Sequence, residues 1–189
     1  SLDHVGIITK TVEDAALLLE VLAGYDPKDA TTSMLPVPTY RKAMETLSHP
    51  RLGLLKEFFY ENAHEEVRRN IEEAAGRLTA SGAEIVETRL PRSFSVVPPA
   101  HRTIMNVEAA AYHEATFLSR MMDYRPSLRG MIATGLLVPA STYLKAQRIR
   151  SQFIREITSV LEDFDCLLTP STTTPAPEGL SSTGDPAFN

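Results

Sequence analysis

Cysteine is nearly absent: Cys166 stands alone among 189 residues. One thiol excludes an internal disulfide framework and fits a reducing compartment, so a cytoplasmic location is expected. The thiol lies in the apolar run Asp165-Cys166-Leu167-Leu168, which reads as a buried strand. A structural, inert cysteine is expected there, because a nucleophilic one needs a neighbouring base and partial exposure. An excess of positive charge is also missing. Nineteen Lys and Arg against 24 Asp and Glu give a formal net charge of −5, which disfavours attraction to nucleic acid or an anionic membrane surface. Arg148, Arg150 and Arg155 do cluster, but acidic neighbours interrupt them, and they read as the solvated face of a helix. No apolar run approaches the ~20 residues a membrane span requires, and no signal-peptide pattern opens the chain. Neither a membrane nor a nucleic-acid partner is therefore expected.

Paired metal ligands are lacking as well. The five histidines, at 4, 49, 64, 101 and 113, are scattered, and none lies four residues from another on an expected helix. Neither a metal nor another cofactor is expected. Glu65-Glu66 and Glu72-Glu73 read as solvated charge on a helix, not as an acid/base pair. No Gly-x-Ser-x-Gly elbow occurs. Ser181-Ser182-Thr183-Gly184 has no preceding glycine and no lysine nearby, and it needs no explanation beyond a flexible tail.

With 43% hydrophobic residues, the chain can form one large domain or a piece of a larger one. Thr11 is an N-cap whose hydroxyl can accept a free amide of the first turn, and Asp14 can complete a weak capping box. Val12, Ala15, Ala16, Leu19, Leu22 and Ala23 then form one apolar helix face, which Gly24 ends. A polar turn and a proline-containing loop follow to about Pro50, with a short helix around Tyr40 to Leu47.

The clearest architecture comes next. Arg51 to Phe59 reads as a largely buried strand. Val67, Ile71, Ala74, Ala75 and Leu78 mark a helix from Glu65 to before Gly82, and Ala83 to Leu90 alternates as a strand. Strand, helix and strand make a βαβ unit over about residues 51–90. A nucleotide-binding role for it fails, because the loop from Tyr60 to Glu66 has no glycine and three acids, where a phosphate cradle needs glycines. Pro98 and Pro99 predict an extended connection from Ser93 to about Ala100. Helices are expected over 102–122 and 142–162, the latter with a stripe of Ala146, Ile149, Phe153, Ile157, Val160 and Leu161. Gly130, Gly135 and prolines break the interval from Asp123 to Ala140. A buried strand is expected at 165–169, then a loop-like tail over 170–189, rich in Ser, Thr, Pro and Gly.

Four stretches, in order, resemble the amidase signature family. Ser1-Leu2-Asp3 leads into the helix that begins Thr11-Val12-Glu13-Asp14, as the family's segment after its catalytic core does. Leu17 to Asp29 is similar to the family's helix end and its Gly-x-Asp-Pro-x-Asp turn. Tyr143 to Arg150 resembles its Tyr-x-x-Ala-x-x-x-Arg helix, and Asp163 to Thr173 its Phe-Asp-x-Leu-Leu-x-Pro-Thr strand and loop. A fifth stretch, Gly184 to Asn189, is similar to the segment before the family's last Gly-Leu-Pro turn. Residues 92–137 contribute little.

The resemblance implies an α/β/α fold with a mixed sheet, of which residues 1–189 are a single incomplete domain. It implies hydrolysis or transfer of amide nitrogen by a Ser–cis-Ser–Lys triad, with backbone amides as the oxyanion hole. The Gly-Ser-Ser-Gly-Gly stretch and the catalytic lysine are not in this sequence, so the nucleophile is expected upstream of Ser1 and no residue here inherits a catalytic role. Two substrate contacts are implied. Arg129 lies where members acting on acidic or amino-acid amides place a carboxylate-binding arginine, and Asp185 near an acid that meets a substrate amine. The alternative for each is an ordinary surface charge. Asp3 reads as a loop-anchoring acceptor. The expected partner of the complete protein is a small-molecule amide. Within the family, the alternative is one component of a glutamine-dependent amidotransferase that works on misacylated tRNA. A non-catalytic α/β binding module is the alternative outside it. A module should not begin inside a Ser-Leu-Asp loop or stop at Asn189, whereas a fragment would, and a fragment should self-associate through bared core surface.

Overall fold

The computed structural model describes residues 1–45, 49–180 and 184. The chain forms two compact units, residues 1–48 and 49–189.

The first unit holds α1 (Val12–Leu22) and α2 (Tyr40–Ala43). Thr11 caps α1 as expected, its Oγ1 accepting the Asp14 amide at 3.1 Å. Leu47 lies outside the described residues, and α2 ends at Ala43. The Tyr25–Asp29 turn is fixed by side-chain caps: Asp26 accepts the Lys28 amide, and Asp29 accepts both the amide and the hydroxyl of Thr31. Glu20 ties the two helices together by accepting the Arg41 amide at 3.0 Å and its Nε at 3.2 Å. The Arg41 amide, followed by its guanidinium, holds the Glu20 carboxyl below its ordinary value of 4.5. A group with a lowered folded pKa contributes its full stabilisation above the unfolded value and loses it as acid carries the pH down through the folded value. The tether should therefore be intact at pH 5 and above and fail only below about 4.5. Amide exchange at Arg41, followed against pH, should show protection persisting below the ordinary glutamate midpoint; a loss centred at about 4.5 or higher would contradict it.

The apolar face expected on α1 is only partly inward. Ala16 is buried and Ala15 and Ala23 half-buried, whereas Val12 and Leu22 are exposed. In the preceding loop, His4 makes the local bond, its Nδ1 lying 2.8 Å from the Leu2 carbonyl. The Asp3 carboxylate has no hydrogen bond among the described residues, so it does not anchor the loop there.

The second unit is α/β, as expected. β1 (Arg51–Leu55), β2 (Glu84–Thr88) and β3 (Cys166–Leu168) form a parallel sheet in the order β2-β1-β3. Leu52 pairs with Ile85 on one side and Cys166 on the other. Leu52, Leu54 and Leu55 are buried, as a central strand requires. Gly53 is needed between them, since a Cβ there would lie 2.7 Å from Leu167 Cδ2 and 2.9 Å from Thr88 Cγ2. Asp165 clamps the sheet: its Oδ2 accepts the Arg51 amide at 2.7 Å while its own amide donates to the Arg51 carbonyl.

Three expectations need correction here. β1 stops at Leu55 and does not run to Phe59, because Phe58 turns the chain at φ 61°, ψ −53°, with the Phe59 amide donating to the Glu57 carbonyl. This is a γ-turn in its rare, strained form. Ring contacts hold it, with Phe58 edge-on to Phe59 at 5.4 Å and to Phe94 at 5.0 Å. A short α3 (Phe59–Asn62) follows, then α4 (Glu65–Ala80). Cys166 is exposed, not buried, because β3 is an edge strand of the sheet among the described residues. The interval Ser93–Ala100 is not extended: a 3-10 turn (Arg92–Val96) runs straight into α5 (Val97–Phe117), with Pro98 and Pro99 in the first turn. Amides there have no intrahelical acceptor, so proline loses nothing.

The interval from Asp123 to Ala140, expected to be broken, contains α6 (Pro126–Leu136), again begun by proline. With α5 and α7 (Ala140–Leu161) it makes a three-helix group. The core of the group is Ala110, Phe117 and Ile132, with Ala109, Tyr124 and Leu128 packed against it. Ala146 is buried on α7, and Ile149, Phe153, Ile157 and Val160 are half-buried beneath it, as their stripe predicts; Leu161, at the helix end, is exposed. Arg148 and Arg155 are exposed, and Arg150 is half-buried. No helix of the described residues is long and apolar enough to cross a membrane.

Candidate functional site

Arg129 sits at the end of the first turn of α6, half-buried, with Nη1 3.0 Å from the Met122 sulfur. A thioether is a weak acceptor. No carboxylate lies within ion-pair distance of Arg129 among the described residues, and its neighbour Asp123 is engaged by Arg120 at 2.7 Å. No other hydrogen bond or ion pair of the Arg129 guanidinium is found among the described residues. Asp185 lies outside the described residues.

Beside this, α5 presents a short relay. His113 Nδ1 is 3.2 Å from the Tyr124 hydroxyl, which is 3.0 Å from Thr116 Oγ1. The Tyr124 ring packs edge-on to both His113 and Phe117. A second polar seam joins α5 to α7: Gln147 Nε2 donates to the Tyr143 hydroxyl at 2.8 Å, which donates to Glu108 Oε1 at 3.2 Å. Tyr143 and Gln147 are one helical turn apart on α7, and this spacing is the signal in the sequence for a shared polar face. Nothing in the sequence pairs them with Glu108.

The sheet offers a different concavity. A cleft of about 710 Å³ opens between α4 and the loop that follows β3. Glu66, Arg69 and Glu73 line one wall, and Thr169, Ser171 and Thr172 line the other. The His64 amide donates to the Thr173 carbonyl at 2.7 Å and holds this loop to the start of α4. The Thr173 Oγ1 and the Tyr60 hydroxyl are buried without a partner among the described residues. Burial, with the Glu72 carboxylate second, raises the Tyr60 phenol above its ordinary value.

Nucleophile chemistry finds little support in these side chains. Ser93 Oγ donates to Glu156 at 2.5 Å, and this bond, ahead of one from Gln152, lowers the Glu156 carboxyl. A carboxylate made less basic is a poor proton acceptor, so the pair is a tether between the 3-10 turn and α7. No group of three or more His, Cys, Asp or Glu among the described residues converges on a metal-sized site.

Comparison with known proteins gives this arrangement its context. The Amidase family matches residues 1–187. The chain is similar to an amidase from Pseudomonas putida, at 36% identity over 93% of this chain and 38% of that one. It is also similar to a glutamyl-tRNA(Gln) amidotransferase component from Koribacter versatilis, at 32% identity over 93% of this chain and 42% of that one. Among solved structures, it superposes on a chain of a vestigial protein complex that bears on the origins of an s-triazine catabolic enzyme. The TM-score is 0.79 at 27% identity, covering 91% of this chain and 36% of the other. The chain thus spans about two-fifths of the length of the curated relatives it matches. The four stretches singled out in the sequence, the α/β fold and the family match agree: the chain belongs to the amidase family.

Proposed function

We propose that this chain is the non-catalytic part of one incomplete amidase-signature domain, in a protein that cleaves a carboxylic amide to the acid and ammonia. Water supplies the hydroxyl to the carbonyl carbon and the proton to the leaving nitrogen. The chemistry falls to a Ser–cis-Ser–Lys set outside residues 1–189, so this chain alone should be inactive. The observation that carries the reading is the family match over 1–187 in a sequence that contains no Gly-Ser-Ser-Gly-Gly stretch. Arg129 is the proposed carboxylate anchor for an acidic or amino-acid amide, supported by its half-buried guanidinium. Asp185 is the proposed contact for a substrate amine.

The test is ammonia release by the protein of the complete reading frame, assayed with neutral, carboxylate-bearing and glutamine amides. Hydrolysis by the complete protein and none by residues 1–189 is expected. Arg129→Ala should raise KM for the carboxylate-bearing amide about tenfold to a hundredfold, the worth of a hydrogen bond to a charged group, and leave the neutral amide unaffected. Equal effects on both would remove Arg129 from the site. The amidotransferase reading rests on relatives of that name at 30–34% identity. It would be favoured if glutamine were the amide turned over and a second protein were required.

A further inference from the structure

The contact between Met122 and Arg129 offers chemistry that neither residue has alone. Nη1 of Arg129 lies 3.0 Å from the Met122 sulfur, seven residues back in the chain. Both ends are fixed by backbone within residues 49–189. The Arg129 amide donates to the Arg125 carbonyl in α6, and Met122 belongs to the 3-10 turn Met121–Asp123. That turn is pinned just beyond its end, where the Tyr124 hydroxyl meets His113 and Thr116. A charged fork of several donors thus faces a thioether, among the weakest acceptors a side chain offers. The stronger acceptor nearby is already engaged, since Asp123 pairs with Arg120 at 2.7 Å. Met122 is also open to small reagents. It is 80% exposed in the presence of both units, and so at least that accessible within its own. Met34, Met44 and Met121 are exposed too, but no sulfur of theirs has a hydrogen bond among the described residues.

We propose that Met122 is a peroxide-sensitive modification site, whose sulfoxide oxygen captures the Arg129 guanidinium and withdraws it from carboxylates. A sulfur lone pair attacks one oxygen of hydrogen peroxide, and the S–O bond forms as the O–O bond breaks. The departing hydroxide takes the proton from the transferred hydroxyl and leaves as water. The electron pair passes from sulfur, which is oxidised, to the peroxide, which is reduced. The product is polar where the thioether was not. Its oxygen, one bond from a sulfur already 3.0 Å from Nη1, brings a strong acceptor within reach of the same fork. Sulfoxide reductases reverse the change, so the capture works as a switch. Modification and capture stand on this contact alone; the effect on substrate rests on Arg129 as the proposed carboxylate anchor.

The protein of the complete reading frame is treated with hydrogen peroxide and then with methionine sulfoxide reductases. Peptide mass spectrometry reads the oxygen added at Met122 and, in the same sample, labelling of Arg129 by the guanidinium reagent phenylglyoxal. Oxidation of Met122 should slow that labelling about tenfold, the worth of one hydrogen bond to a charged group, and reduction should restore it. Loosened packing would speed the labelling instead, so the sign separates capture from damage. In Met122→Leu, peroxide should leave the labelling of Arg129 unchanged. KM for the carboxylate-bearing amide should rise about tenfold on oxidation, with the neutral amide unmoved. Met122→Gln, which offers an amide oxygen as acceptor, should raise it without peroxide. No oxygen on Met122, Arg129 labelled as fast or faster after oxidation, or equal slowing in Met122→Leu would each overturn the proposal. So would slowed labelling with an unmoved KM, where Arg129→Ala raises that KM. If Arg129→Ala leaves it unmoved as well, Arg129 is not the anchor, and the captured guanidinium still stands.

Discussion

Replacing Gly135 by alanine should destabilise the second unit by about 3 kcal/mol or more, although alanine is ordinarily the better helix former. A Cβ built on Gly135 would lie 1.9 Å from the Asn106 carbonyl oxygen, 2.5 Å from its carbon and 2.8 Å from the Ala110 methyl. Two of these three atoms are helix backbone, which cannot swing aside as a side-chain tip can. The methyl would have to drive α6 off α5 and disturb the packing of Ile132 over Phe117. Gly130, on the same helix, has nothing within 4 Å of such a Cβ. Gly130→Ala should therefore stabilise by about 0.5–1 kcal/mol, through propensity and the reduced freedom of the unfolded chain. The same chemical change at two positions of one helix should thus have opposite signs. Melting temperatures of the two variants test it, with Gly135→Ala lower by roughly 6–12 °C on the scale for a domain of this size. A Gly135→Ala protein as stable as the parent would mean that α5 and α6 do not approach as described.

The second large effect is expected at Phe117. Its side chain is 2% exposed and packs edge-on to Tyr124 at 5.6 Å between the centroids. Phe117→Ala should cost about 3–5 kcal/mol, combining lost transfer energy with a cavity that the flanking helices cannot collapse. That is a large share of the roughly 5–15 kcal/mol typical of a folded protein. Phe117→Leu should cost under about 2 kcal/mol, since most of the volume is kept. Urea unfolding monitors both. The diagnostic is a large shift in midpoint for alanine, a small one for leucine and an unchanged slope. A loss below about 1 kcal/mol for alanine would show that Ala110, Phe117 and Ile132 are not the centre of the helical group.

How far the sequence reveals this structure depends on what each residue type is asked to do. α4 and α7 are legible because their apolar stripes face the protein itself, so periodicity and burial coincide. α6 is hidden because Gly130 and Gly135 look like breakers. One of them is there because α5 passes too close for any side chain, a fact of tertiary contact that no local pattern carries. Pro98 and Pro99 look like the end of regular structure and in fact begin it. Cys166 reads as interior because it stands in an apolar run, but an edge strand exposes residues that a central one would bury. For the site, Arg129 is legible as a position only. Its sulfur contact depends on the 3-10 turn at Met121–Asp123 bringing Met122 beside α6, which the sequence does not announce. The family is legible because its four motifs recur in order across the chain, as the match over 1–187 bears out.

The sheet order has a consequence for how this chain is made. β1 is central, yet its two neighbours arrive at very different times: β2 follows after α3 and α4, while Arg51 and its clamp Asp165 are 114 residues apart. At synthesis rates of about 5–20 residues per second, one edge of an apolar strand waits on the order of ten seconds for its partner to be made. Through that interval the β1–α4–β2 piece presents an open parallel edge containing Leu52, Leu54 and Leu55. The helices α5, α6 and α7 are completed in the same interval, and their contacts are local enough to form first. The late insertion of a three-residue strand, Cys166–Leu168, beside one synthesised long before it should thus be the slow step in making this protein.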